Sequence, residues 1–81
     1  MHEVRRSQNG KVDVVNTLQS EQAAQSFMEF VVLNYVTKHA PVLIYPCDIV
    51  AGKGFTMTHK NIVDDEVVDV AVSYVVAKKG E

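Results

Sequence analysis

The clearest pattern along the chain is one helical face in its first half. Apolar residues recur there at spacings of three and four: Ala24, Phe27, Met28, Val31 and Tyr35. This is the period of one side of an α-helix. Thr17 or Ser20 can cap the start, because each side-chain oxygen can accept a free backbone N–H. Pro41 biases the residue before it away from helical geometry, so the helix is expected to end there.

The second half of this predicted helix is apolar on nearly every side. The stretch runs from Phe30 to Val36. A helix of this kind lies centrally in a core or pairs with another chain. The pattern therefore favours a homodimer as one of two outcomes, with a single-chain core as the other.

The N-terminal region predicts short strands. Residues 1–10 are polar and end in the turn signal Asn9-Gly10. Residues 11–16 alternate as a strand does, although an extended arm fits as well. The Asn9-Gly10 turn can join this segment to a strand over residues 4–7. We divide the chain into a polar arm, 1–10, and a single globular domain, 11–81.

The middle of the chain predicts short elements. Residues 42–45 are apolar and bounded by prolines, which suits a short strand or a buried connector. Pro46 can begin a short helix over residues 47–51. The glycines of Gly52-Lys53-Gly54 predict a turn, and residues 55–58 are extended or loop.

Residues 61–79 support two interpretations. Alternate valines favour a strand. Acidic residues at the start, Lys78 and Lys79 at the end, and Gly80 as a stop signal favour a helix. We weight helix over strand, because the end signals are independent of the valines.

Composition and charge narrow the class of protein. The chain has 81 residues, enough for one domain, and 47% of them are hydrophobic, enough for a core. A net charge of −2 gives no global attraction to nucleic acid or an anionic membrane. Cys47 is the single cysteine, and neither a signal peptide nor a membrane span is visible. A reducing cytoplasm fits best.

Candidate chemistry is sparse. The histidines are scattered singly, whereas zinc sites show tightly spaced ligand pairs, so we expect no metal. Cys47 with His39 or His59 lacks an orienting partner, so a structural thiol is the simpler interpretation. Gly52-Lys53-Gly54 lacks the spacing of a phosphate-binding loop. We therefore expect no catalytic residues, no cofactor and no enzyme.

Three segments together resemble a winged-helix domain of the helix-turn-helix class. Residues 32–42 are similar to its first helix and exit, residues 48–51 to its short second helix, and residues 67–80 to a recognition helix. The resemblance covers about half the chain. It implies an α+β domain of two to three helices with a short N-terminal strand or hairpin.

The resemblance implies a non-enzymatic regulator that contacts DNA or a transcription complex. Phosphate contacts would come from the cations and hydroxyls Arg5, Arg6, Lys53, Thr56, Thr58, His59, Lys60, Lys78 and Lys79. The alternative is an inhibitor or adaptor that binds protein through an apolar surface or through the acidic residues Asp64, Asp65, Glu66 and Asp69.

Overall fold

The chain folds into one antiparallel sheet with one helix packed on it. The computed structural model of the chain describes residues 1–80. The elements are β1 (His2–Gln8), β2 (Lys11–Leu18), α1 (Glu21–His39), β3 (Leu43–Ile49), β4 (Gly52–Val63) and β5 (Glu66–Lys78). The strand order is β2-β1-β5-β4-β3. The N-terminal strand β1 therefore lies between β2 and the C-terminal strand β5, and β2 and β3 are the two edges.

Two-residue turns join three of the strand pairs. They are Asn9-Gly10, Val50-Ala51 and Asp64-Asp65, and all six residues have positive φ. Two consecutive positive φ values are the signature of the type I′ turn, whose twist matches that of the flanking strands. Asn-Gly and Asp are common in this turn, whereas Val50, at φ 54, is β-branched and strained there.

α1 covers one face of the sheet. The Ser20 hydroxyl accepts a hydrogen bond from the Ala23 N–H at 3.1 Å and so caps the helix start. Its buried face packs against β5, β1, β4 and β2 and does not reach β3. The buried cluster beneath it contains Val4, Ala24, Met28, Val32, Met57, Val72 and Tyr74.

The sheet is tightest against the helix at Gly54. A Cβ placed there would lie 1.9 Å from the Tyr74 carbonyl oxygen and 2.8 Å from the Met28 sulfur. No side chain fits at those distances, so glycine allows the backbones of β4 and β5 to approach each other beneath α1.

The far end of the β4–β5 hairpin projects beyond the helix and beyond β1 and β3. We call residues 60–69 the arm. β3 pairs with β4 only as far as Thr58, and β1 pairs with β5 only as far as Ser73. Within the arm only Val68 is half-buried, and the other residues are exposed. The molecule is correspondingly elongated, 43 × 23 × 18 Å.

The predicted winged-helix fold is wrong. The structure has five strands and one helix in the part of the chain it describes. Residues 61–79 form the end of β4 and all of β5, so the valine alternation was the correct signal. The acidic residues that suggested a helix start belong to a hairpin turn and the first residue of β5.

Two smaller predictions are also wrong. Residues 47–51 are the end of β3 and a turn, not a short helix. The Gly52-Lys53-Gly54 segment lies inside β4, and the turn comes just before it. The glycines were read as turn formers, whereas Gly54 is needed for a close approach between strands.

Other predictions are confirmed. The helix begins after Ser20 and ends before Pro41, as the capping and proline signals indicated. The hairpin around Asn9-Gly10 forms, and residues 42–45 contribute to a strand. The predicted polar N-terminal arm, residues 1–10, is not among these, because it supplies β1 and its turn and so lies within the sheet.

Candidate binding groove

A groove opens where the helix ends and β3 begins. It has a volume of about 660 Å³, which lies within the range of ligand-binding clefts. The helix end and the connector before β3 form one wall, and the edge of β4 at residues 58–60 forms the other. Its lining includes His39, Pro41, Leu43, Tyr45, His59 and Lys60. The lining is thus largely apolar, and its charged and polar side chains include Lys60 and its ion-pair partner Asp69.

Four rings form a cluster behind this groove. The imidazoles of His39 and His59 stack with centroids 4.6 Å apart and an angle of 16° between planes. The Tyr35 ring lies 4.5 Å from His39, and its hydroxyl is 2.7 Å from His59 Nε2. Tyr74 meets Tyr35 edge-on at 6.5 Å. The cluster ties the last turn of α1 to β4 and β5.

The ring cluster disfavours positive charge on the helix end. Partial burial, the neighbouring His59 and then Lys38 lower the pKa of His39 below its usual range. Burial raises the pKa of Tyr35, with a further contribution from Tyr74 that Arg6 opposes. Tyr35 therefore keeps its proton at neutral pH, and its hydroxyl stays within hydrogen-bonding distance of His59 Nε2.

An exposed ion pair lies at the base of the arm. The Lys60 ammonium is 2.7 Å from an Asp69 carboxylate oxygen. The two residues face each other across β4 and β5, and both side chains are more than 70% exposed, at 72% and 78%. Ion pairs at such exposure contribute little to stability, so Lys60 can exchange its partner readily.

A second polar contact lies at the other end of the sheet, near the β3–β4 turn. Arg5 binds Glu3 at 2.9 Å and donates to the carbonyl oxygen of Val50 at 2.6 Å. The strained β3–β4 turn is thus anchored to β1. Arg6 in turn bonds the Gln8 side chain. Neither arginine is a free surface cation.

A smaller hollow lies near the helix start. It has a volume of about 330 Å³ and lies between β4, β5 and the first turns of α1. His2 lines it, and its Nδ1 is buried without a hydrogen-bond partner among the described residues. Lys53 and Lys78 also line this hollow, far from the groove along the sheet.

The predicted DNA-contact residues do not form one surface. Thr58, His59 and Lys60 share the groove. Thr56 bonds the Ser73 hydroxyl at 2.7 Å within the sheet. Lys53, Lys78 and Lys79 lie towards the opposite end of β4 and β5, and Arg5 and Arg6 are held in the contacts just described.

The predicted protein-contact residues are all in the arm. Asp64 and Asp65 form its turn, Glu66 begins β5, and Asp69 pairs with Lys60. All four are exposed. The first three form an acidic tip next to the exposed apolar side chains Ile62, Val63 and Val67.

Sequence reasoning missed the ring cluster and the groove. From the sequence, His39 and His59 are expected to be scattered singly or, at most, to be partners of Cys47. The structure stacks the two rings, whereas Cys47 lies in the middle of β3. Within residues 1–80 no group of three His, Cys, Asp or Glu side chains is placed to hold a metal ion. The local sign of this site in the sequence is a helix that ends at His39, close to Pro41. The other wall of the groove is formed by β4 at His59, which lies 20 residues further along the chain.

Comparison of the chain with protein families, curated proteins and solved structures gives no significant match. Among residues 1–80, no helix is both long and apolar enough to cross a lipid bilayer.

Proposed function

We propose that this chain is a protein-binding module that acts through exposed apolar surfaces. The observation that carries the proposal is the balance of exposed and buried side chains. Among residues 1–80, thirteen large apolar residues are exposed, against nine apolar residues in the core. Single exposed apolar residues are ordinary, but contiguous groups of them are typical of interaction sites.

Two groups of exposed residues support this proposal. On the outer side of α1, Phe30 and Leu33 lie one turn apart and are 63% and 65% exposed. At the other end, β3 presents Leu43 and Tyr45 beside the groove, and the arm continues from it. The second group combines apolar side chains, an open cleft and charges, so it is the stronger candidate for a partner site.

Contact with DNA stays an untested prediction. It no longer has a recognition helix to rely on, because residues 66–78 are a central strand. Its candidate cations are spread over both ends of the sheet, and Lys60 already pairs with Asp69. A protein partner is therefore better supported than a nucleic acid.

The test begins with capture of partners from the source cells by wild type and by a surface variant. Leu43→Ser with Tyr45→Ser alters the groove, and Phe30→Ser with Leu33→Ser is the matched change on α1. A captured protein is then purified and titrated against each form by calorimetry. We expect the groove variant to lose binding, with a negative heat-capacity change for the wild-type complex.

Salt separates a protein partner from DNA. A complex held by apolar contacts should change little with ionic strength. DNA binding should show log affinity falling by about 0.9 per neutralised phosphate for each log unit of salt. Asp64→Asn with Asp65→Asn should weaken a protein complex that uses the acidic tip and strengthen DNA binding. Salt-dependent DNA binding without any protein partner would contradict the proposal.

A further inference from the structure

We propose that the arm pairs with the arm of a second copy of this chain, so that the acidic tip of each arm lies in the groove of the other. This inference deepens the proposed protein-binding function and rests on it, since it names one partner and one site. In this dimer, the β4 edge, the groove and the acidic tip all belong to a single twofold interface.

The first support is an unpaired strand edge that leads into the groove. Beyond Thr58, where β3 begins, no strand formed by the described residues 1–80 lies on the outer side of β4 at residues 59–63. Its backbone N–H and C=O groups there form a template for another strand. The groove lies at the inner end of that edge, at residues 58–60. An incoming hairpin would therefore pair along the arm and end its turn in the groove.

The second support is the sign of the charges along each edge. In a twofold antiparallel pair centred on Ile62, Lys60 lies opposite Asp64 of the second copy. Asp65, the second residue of that turn, already crosses towards β5 and lies further from the edge. The Lys60 cation in the groove lining thus meets an acidic residue of the tip, and the symmetry repeats this pair.

Pairing through the other edge of the arm, on β5, would bring like charges together. β5 is also without a neighbouring strand between residues 66 and 72. A twofold pair through this edge, centred on Val67, would bring Asp65 close to Asp69 of the second copy. Like charges directly opposite each other destabilise a strand pair, so pairing through β4 is favoured.

The third support is the marginal stability of the arm by itself. Two strands without a covering layer are barely stable in water, whereas a larger sheet with an apolar face is stable. Ile62 and Val67 lie opposite each other on one face of the arm and are 72% and 65% exposed. Side-by-side arms make a four-stranded ribbon in which these residues form one continuous apolar row.

The existing contact of Lys60 does not oppose the interface. Its ion pair with Asp69 is solvated on both sides and so is readily exchanged. Lys60 can turn to the incoming Asp64 while Asp69 remains exposed to water.

The decisive experiment is a site-specific crosslink on the symmetry axis. Antiparallel partners have Cα atoms about 4.5–5.5 Å apart, within the range that a disulfide spans. In a Cys47→Ser background, Ile62→Cys should oxidise to a covalent dimer. Val12→Cys, an exposed valine on the β2 edge, is the matched control and should stay monomeric. Equal crosslinking of the two variants, or none from Ile62→Cys, would overturn the proposal.

A double-mutant cycle tests the charge pairing. All forms carry Asp69→Asn, so that Lys60 has no partner within its own chain. Asp64→Asn keeps a residue that tolerates the turn, and Lys60→Gln removes the cation. Each should raise the dimer dissociation constant roughly three- to tenfold, since each opposite-charge pair is formed twice. The two effects should be non-additive, and additive effects would remove the Lys60–Asp64 pairing.

Sedimentation equilibrium provides the readout for both experiments. Wild type should show a reversible monomer–dimer equilibrium between about 1 and 100 µM. A monomer throughout that range overturns the proposal even if a purified foreign partner still binds, which would leave the protein-binding function in place. A dimer that survives Ile62→Lys would mean that the copies meet elsewhere, and it overturns the arm interface as well.

Discussion

The inner and outer halves of the β4–β5 hairpin share one strand register but differ in how far their side chains are buried. Its strands stay in one continuous antiparallel register from Gly52–Ala77 to Val63–Glu66. In the inner half, α1 covers one face, and Met57 and Val72 are almost fully buried. In the outer half, the arm, only Val68 is even half-buried.

The difference teaches that pairing and burial have separate origins. Register is determined by the two-residue turn and by the alternation of side chains. Burial is determined by which elements lie alongside: α1, β1 and β3 all stop before the arm begins. The valine alternation continues into the arm regardless, so its apolar face is left without a partner within the chain.

The strongest test of this difference in burial is to truncate one apolar residue in each half of β4. Met57→Ala removes a fully buried side chain beneath the helix. We expect it to lower the free energy of unfolding by about 2–5 kcal/mol. Ile62→Ala, in the exposed half, should change it by no more than about 0.5 kcal/mol. Urea unfolding at low protein concentration measures both, and equal losses would mean that the arm is packed in solution.

A second change tests why the inner half is so tight. Gly54→Ala places a methyl group against the Tyr74 carbonyl, so the strands must separate beneath α1. We expect a loss of about 3 kcal/mol, at the upper end of the range for overpacking. Val68→Ala, in the arm, serves as the control. A thermal melt of Gly54→Ala close to that of wild type would show that β4 can move away from β5 without cost.

The turns allow a smaller and opposite change. Val50→Asn with Ala51→Gly gives the β3–β4 turn the residues that positive φ favours. We expect the protein to gain about 1 kcal/mol. The reverse exchange, Asn9→Val with Gly10→Ala, should lose a similar amount. Chemical denaturation measures the free energy of unfolding of both variants. A loss of stability in the Val50→Asn, Ala51→Gly variant would mean that something other than the preferences of its two residues holds this turn in its conformation.

The smallest expected effect concerns pH. His39 has a lowered pKa in the folded protein, so the unfolded chain binds a proton there first as pH falls. Stability from this residue is fully present above about pH 6.5 and is lost as pH falls from there to its folded pKa. His39→Asn should flatten the dependence of melting temperature on pH between about 7 and 5.5, above most carboxyl titrations. An unchanged slope would show that His39 does not contribute to the pH dependence of stability.

Local sequence signals predict the ends of the helix correctly, but they leave residues 61–79 ambiguous between helix and strand. The Ser20 cap and the Pro41 stop act within a few residues, and they marked the helix correctly. Residues 61–79 carried two local signals in conflict. Acidic residues near a helix start and acidic residues in a hairpin turn look alike, and the neighbouring strands decide the outcome.

The candidate groove was harder to predict from the sequence than the helix and strands. His39 and His59 are brought together by the packing of α1 against β4, and nothing in the spacing of two histidines indicates a stack. The apolar stretch from Phe30 to Val36 suggested either a central helix or a helix paired with another chain. Within the described chain it is covered on one side only, so the second possibility stays open as a prediction.

The order of strands in the sheet has a consequence for how the chain reaches this state. The β1–β2 and β4–β5 hairpins are local and close within microseconds in typical proteins. β1, however, must wait for residues 73–78, because β5 is its partner in the centre of the sheet. During synthesis, α1 and the first hairpin therefore emerge long before the strand that joins them. The nascent chain would expose Met28 and Val32 for that interval, and apolar surface exposed in this way is prone to aggregate.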